Sequence, residues 1–117
     1  MYLDIDHFKL INDTYGHDAG DQVLQSFAKR IQSNIREDDI ACRIGGDEFL
    51  VMLRNRKERN ELKEAEQRLQ TAFQQPYFID DLQLSVTCSM GIAAASEKTP
   101  DLKALIHEAD KELYRRK

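Results

Sequence analysis

The four residues Gly45-Gly46-Asp47-Glu48 restrict the fold of this chain more than any other stretch. They separate two short runs, Asp39–Ile44 and Phe49–Leu53, both rich in β-branched and large apolar residues, and so read as a hairpin tip. A hairpin commits the chain to antiparallel pairing. Apolar residues on both faces of the two runs place them centrally in a sheet. Helices must then cover that sheet, and three apolar stripes of helical period are present. The first carries Val23, Leu24, Phe27, Ala28 and Ile31. The second carries Leu62, Ala65, Leu69, Ala72 and Phe73, and Pro76 ends it. The third carries Leu102, Leu105, Ile106, Ala109 and Leu113, opened by Thr99 as cap and Pro100 in the first turn. Further strands are expected at Met1–Ile5, at Tyr77–Ile79 and Leu82–Val86 around Asp80-Asp81, and through Thr87–Ala93. Asp6–Asp18 reads as a mixed, turn-rich stretch. Three helices with five or six hairpin-linked strands make an α+β layer arrangement.

At 117 residues, 41% hydrophobic and 32% charged, the chain has the size and composition of one globular domain with one core. No apolar run approaches the roughly 20 residues of a membrane span. A net charge of −4 argues against a polymeric nucleic-acid binder, which needs a basic footprint. Single nucleotides stay open, because backbone amides and metal ions can hold their phosphates. Cys42 and Cys88 lack neighbours at zinc-ligand spacing and read as two reduced core thiols of a cytoplasmic protein. The chain starts inside a strand and stops inside a helix, so a piece of a longer protein, cut at both ends, is expected.

Two constellations carry chemistry. Asp4-Ile5-Asp6 at the end of the first strand, followed by Phe8-Lys9, sets carboxylates beside a loop of amides. Mg²⁺ takes one or two protein carboxylates and leaves positions for phosphate oxygens, so this suits metal and phosphate together. Taken alone it reads more simply as a solvated strand end with an exposed turn. In Gly45-Gly46-Asp47-Glu48-Phe49 the glycines let a ligand approach the backbone, and two acids stand where they can join Asp4 around a cation. By local chemistry alone this is also an ordinary turn with acids facing water.

The whole set resembles one family. The stretch from Asp4 to Asp21, with Asp4-Ile5-Asp6-His7-Phe8-Lys9 and Asn12-Asp13-Thr14-Tyr15-Gly16-His17-Asp18-Ala19-Gly20-Asp21, looks like the opening signature of GGDEF domains, the diguanylate cyclases. Ala41-Cys42-Arg43-Ile44-Gly45-Gly46-Asp47-Glu48-Phe49 resembles the signature that names them. Ser85–Ala93 and Ala109-Asp110-Lys111-Glu112-Leu113-Tyr114 are similar to the family's later strand and last helix. The matches run in order over essentially residues 1–117.

The resemblance implies the nucleotidyl cyclase, polymerase palm-like fold, an α+β sandwich with a central, mainly antiparallel sheet flanked by helices. It implies condensation of two GTP into cyclic di-GMP with release of two pyrophosphates, each subunit of a homodimer presenting one GTP. Asp4 and Asp47 would ligate Mg²⁺ or Mn²⁺, helped by the backbone carbonyl of Ile5. Asp47, with Glu48 beside it, would take the proton of the 3′-hydroxyl, and the choice between them stays open. Lys9 would stabilise charge on the phosphates, and the amides of His7, Phe8 and Lys9 would cradle them. Asn12 and Asp21 would read guanine, whose N1–H and N2 amino group a carboxylate can accept. Gly45 and Gly46 would leave room at the hairpin, and Lys117 would contact phosphate. Arg36 and Asp39 match the family's RxxD inhibitory site for the product. Asn12 and Asp21 also read as helix caps, Lys9 and Lys117 as surface lysines, and Arg36–Asp39 as a charge pair at a helix end.

The family's helix before the first strand and a basic residue past the last helix have no counterpart in the sequence, so weakened GTP binding is expected of residues 1–117 alone. The resemblance further implies a cytoplasmic domain, without membrane contact of its own, in a signalling protein that carries a sensor or phosphodiesterase domain and that a membrane anchor elsewhere in the parent could hold. Two other readings stand beside the cyclase. One is a catalytically silent module that binds GTP or cyclic di-GMP in a tandem protein. The other is a dimerisation and interaction domain with an unused pocket. The intact Gly45–Phe49 motif favours the enzyme.

Overall fold

The computed structural model describes residues 1–54, 58–95 and 101–116. In chain order the elements are β1 (Tyr2–Ile5), α1 (Phe8–Tyr15), α2 (His17–Ser33), β2 (Ile40–Gly45), β3 (Glu48–Met52), α3 (Arg59–Gln74), β4 (Tyr77–Ile79), β5 (Leu82–Leu84), β6 (Cys88–Gly91) and α4 (Leu102–Arg116). Four strands form an antiparallel sheet in the order β2-β3-β1-β6, and β4 pairs with β5 in a separate hairpin.

Alternation along the strands gives the sheet two different faces. Leu3, Ile5, Phe49, Val51, Cys88 and Met90 are buried on one face, against α2. There Phe27 of α2 meets the Phe49 ring at 5.0 Å and stacks on Phe73 of α3 at 4.2 Å, so α3 lies behind α2. The opposite face carries Tyr2, Asp4, Glu48, Leu50 and Gly91, and α4 packs there against β6 and β1. A Cβ on Gly91 would overlap the Ala109 carbonyl and the Leu113 amide, so glycine is what lets α4 lie directly on β6.

Arg30 fixes the end of α3. Its guanidinium donates to the carbonyls of Ala72 (2.9 Å), Gln75 (2.6 Å) and Pro76 (2.7 Å) and lies 3.7 Å above the Tyr77 ring. These are the carbonyls that a helix leaves without intrahelical partners at its C-terminus. Pro76 stops α3 as expected, with Gln75 already extended.

Three expectations are corrected. The stretch Asp6–Asp18 contains a helix, α1, of only two turns, whose short apolar side, Phe8 and Ile11, is half-buried against the core. Tertiary contact with α2 holds it. The run Asp39–Ile44 forms an edge strand, β2, while β3 is central. Its Ile40 and Ile44 are 48% and 43% exposed. Ile40 lines an apolar cavity of about 480 Å³ with Leu50, Leu105 and Ile106 on the α4 face, and Ala41 packs against the core on the other, which is why β2 looks apolar on both faces. Cys88 is buried, but Cys42 on that edge strand is exposed and is not a core thiol. The expected cap at Thr99 and Pro100 lies outside the described residues. Among the described residues no helix is long and apolar enough to cross a membrane.

Gly91→Ala should cost about 3 kcal/mol of stability, because the added methyl meets helix backbone that cannot rotate aside. Gly46→Ala, where an added Cβ meets nothing within 4 Å, should cost less than about 1 kcal/mol. Urea denaturation midpoints of the two variants check this, and equal losses would contradict the packing of α4 on β6.

Candidate active site

The site is built where β1 ends beside the β2–β3 turn. Asp4 lies directly opposite Glu48 in the β1–β3 register, so both side chains stand on the α4 face of the sheet. The Ile5 amide donates to the Asp47 carbonyl at 3.1 Å, tying the turn to the strand end. Arg43 closes the turn from the other side, its Nε donating to the Gly46 carbonyl at 2.9 Å. A Cβ on Gly45 or Gly46 would meet nothing within 4 Å. Internal packing therefore does not demand these glycines, and the turn surface they form is open to close approach.

The carboxyls here are crowded. Asp4 is buried. The Asp47 carboxyl is pushed up from its ordinary range by burial first, then by the hydrogen bond and charge of Asp4, with Glu48 adding to it. Tyr2, on the same face of β1, donates its hydroxyl to Glu48 Oε2 at 2.8 Å. Burial and this acidic neighbourhood push the phenol up to about 12. A divalent cation would relieve the repulsion between Asp4 and Asp47, so the donor set fits one. Among the described residues no group of three or more His, Cys, Asp or Glu side chains converges.

Asp6, the second acid of the strand-end pair, has a different environment. Thr87 Oγ1 and Ser89 Oγ donate to its two carboxylate oxygens at 2.7 and 2.6 Å, and its amide donates to the Thr87 carbonyl at 2.9 Å. Turned toward β6, Asp6 does not cap α1. The N-cap is His7, in the left-handed region at φ 57, and it makes no side-chain cap. The first turn of α1, with Phe8 and the exposed Lys9, thus presents amides without an intrahelical partner. A helix N-terminus of this kind attracts anions.

Asn12 and Asp21 are brought near each other by a close helix crossing. A Cβ on Gly20 would overlap the Asn12 amide, so α1 rests its Asn12 side chain on α2 one position before Asp21. Asp21 in turn lines a cavity of about 470 Å³ with Leu24, Gln25, Ala41, Arg43 and Phe49. Arg36–Asp39 forms a tight turn before β2, the Asp39 amide donating to the Arg36 carbonyl at 3.0 Å. Asp39 is buried, and its two oxygens accept the backbone amides of Arg36 (2.7 Å) and Arg54 (2.9 Å). Arg36 itself is exposed. Lys117 lies outside the described residues.

Sequence reasoning missed Tyr2, Arg43 and the Thr87–Ser89 pair. All three act through folding-dependent contacts, and only Gly20, a glycine inside a helical pattern, offered a local hint of a close approach.

The crowding at Asp47 has a measurable consequence in the metal-free protein. A carboxyl pushed up on folding penalises the folded state once it is ionised, and the penalty vanishes when both states are protonated. Asp47→Asn should therefore raise the melting temperature in chelator at neutral pH. The gain should shrink as pH falls through the raised range of Asp47 toward about pH 4. An Asn variant no more stable than wild type at neutral pH would count against the crowding.

Comparison with known proteins agrees with this geometry. The family described as diguanylate cyclase, GGDEF domain, matches residues 1–117. Diguanylate cyclase A of Treponema denticola is 40% identical over 117 residues, covering 100% of this chain and 32% of the relative. The cyclic di-GMP phosphodiesterase PdeR of Escherichia coli is 39% identical over 114 residues, covering 97% of this chain and 17% of its own length. The chain thus spans a third or less of these relatives. The solved GGDEF domain of YfiN from Pseudomonas aeruginosa superposes with a TM-score of 0.93 at 36% identity, covering 97% of this chain and 71% of that one. An antiparallel sheet under helices, two acids joined at a Gly-Gly turn, and a family match along its whole length together show that this chain belongs to the GGDEF family of diguanylate cyclase domains.

Proposed function

We propose that this chain is the catalytic domain of a diguanylate cyclase, making cyclic di-GMP from two GTP. The observation that carries the reading is the meeting of Asp4 and Asp47 at the strand end, beside the side-chain-free N-terminus of α1. Carboxylates for a cation and amides for phosphate then share one loop, which is the equipment phosphoryl transfer needs.

In this reading Asp4, Asp47 and the Ile5 carbonyl would hold Mg²⁺ or Mn²⁺. The cation would supply charge neutralisation on the triphosphate and ease deprotonation of the 3′-hydroxyl. The amides of His7, Phe8 and Lys9 hold the β- and γ-phosphates, and the Lys9 ammonium meets charge that develops in the transition state. Asn12 and Asp21 accept from the guanine N1–H and N2 amino group, a pattern adenine does not offer. The 3′-oxygen of one GTP bonds to the α-phosphorus of the other, the bond to the bridging oxygen breaks, and pyrophosphate leaves. The proton of the hydroxyl goes to the Asp47–Glu48 pair. Gly45 and Gly46 give the nucleotide access to the turn, and Lys117 adds a cation for the phosphates.

Two GTP on two subunits make the active species a homodimer. The domain works in the cytoplasm, where GTP is made, as part of a longer signalling protein with a sensor or phosphodiesterase domain. Arg36 and Asp39 form the product-inhibition site, with the exposed guanidinium gripping phosphate or guanine and the buried Asp39 holding the turn in shape. A second reading, a silent nucleotide-binding module, is favoured by the 39% identity to PdeR, named as a phosphodiesterase.

The complete protein, given GTP and Mg²⁺, should yield cyclic di-GMP by mass spectrometry, with activity per subunit rising with concentration. Asp47→Ala should lower the yield at least about a hundredfold. GTP binding without product, at high protein concentration, would establish the silent module instead. Arg36→Ala should weaken cyclic di-GMP binding about tenfold or more by calorimetry and relieve product inhibition. Unchanged binding in that variant would remove the inhibitory assignment.

A further inference from the structure

We propose that Tyr2 is a positioning residue of this site, its hydroxyl fixing the Glu48 carboxylate in the orientation in which Glu48 serves the bound cation and the attacking hydroxyl. The proposal rests on the cyclase reading above and adds a residue to it.

Glu48 begins β3 and is half-exposed, with Asp4 opposite it and Asp47 beside it. An unrestrained glutamate there has several rotamers to choose from, and two neighbouring carboxylates repel it toward solvent. The Tyr2 phenol counters both effects. It stands on the same face of β1 as Asp4, one rung further along the ladder, and reaches diagonally across to Glu48 Oε2 at 2.8 Å. Tyr2 is itself well anchored, because β1 is paired on both sides and Tyr2 lies between Leu50 of β3 and Gly91 of β6. A phenol donor takes one lone-pair position on Oε2 and leaves Oε1 entirely to other partners. Outer partners of this kind commonly set the direction in which a metal-binding carboxylate points.

Tyr2→Phe keeps the ring and deletes only the donor. Two quantities are compared in the complete protein: Mn²⁺ affinity by calorimetry in the presence of a non-hydrolysable GTP analogue, and kcat and KM for cyclic di-GMP formation. Tyr2→Phe should lower Mn²⁺ affinity and kcat by about tenfold with little change in KM for GTP. In a Glu48→Ala background the same substitution should change neither quantity further. Unchanged Mn²⁺ affinity and kcat in Tyr2→Phe would overturn the proposal, as would an equal loss in the Glu48→Ala background, which would mark a merely structural contact. A wild-type protein that binds Mn²⁺ and the analogue but makes no product overturns the cyclase reading alone, and the Mn²⁺ titration then decides Tyr2. Binding of neither overturns both.

Discussion

β1 is paired along its length to β3 on one side and β6 on the other, and the rest of the molecule is arranged around that double pairing. A four-residue strand has little stability of its own. Paired on both edges, with Leu3 and Ile5 almost fully buried, it becomes the most constrained segment of the chain. Its last rungs then carry the acidic side chains at fixed height above the sheet. This is the physical setting for a site that has to hold like charges close together, because the burial of apolar neighbours offsets the repulsion.

The same constraint explains how parts distant in sequence come together. β3 pairs with β1, so Glu48 lands opposite Asp4, and the Ile5 amide captures the Asp47 carbonyl. β6 pairs on the other edge, so Thr87 and Ser89 take hold of Asp6 and draw it away from the start of α1. Asp4 and Asp47 are thus left together at the turn, while Asp6 is held by the loop. Two glycines set the helices at matching depths: Gly91 admits α4 on one face, and Gly20 admits Asn12 against α2 on the other side of the loop. Arg116 anchors the end of α4, bonding Glu112 (3.0 Å), Glu66 (2.7 Å) and the Met90 carbonyl (3.1 Å).

Much of the fold was legible in the chain because its signals are local. The hairpin around Gly45-Gly46, the stripes of α2, α3 and α4, and the stop at Pro76 all follow from periodicity and turn chemistry within a few residues. The candidate acids were legible for the same reason, since Asp4 and Asp47 stand beside recognisable turns. What was not legible depends on neighbours from elsewhere. α1 has a stripe of only two residues, Phe8 and Ile11, too short to stand out, and β2 shows apolar residues whose partners lie in α4 rather than in a second layer of sheet. Asp39 reads as a ligand group in sequence, whereas folding gives its carboxylate two backbone amides to hold.

The sequence by itself determined the α+β class, the antiparallel hairpin, the acidic pair and the family, because each is written in short-range pattern and ordered motifs. The tertiary structure alone decided which acid does what. Asp4 and Asp47 press together, Asp6 is occupied by hydroxyls, Glu48 accepts the Tyr2 hydroxyl, and Asn12 is seated by Gly20. Side-chain roles of this kind rest on distances of about one hydrogen bond between residues as many as 83 positions apart, as for Ser89 and Asp6. Strand register and helix crossing fix such distances, and neither quantity is encoded within any one segment of the chain.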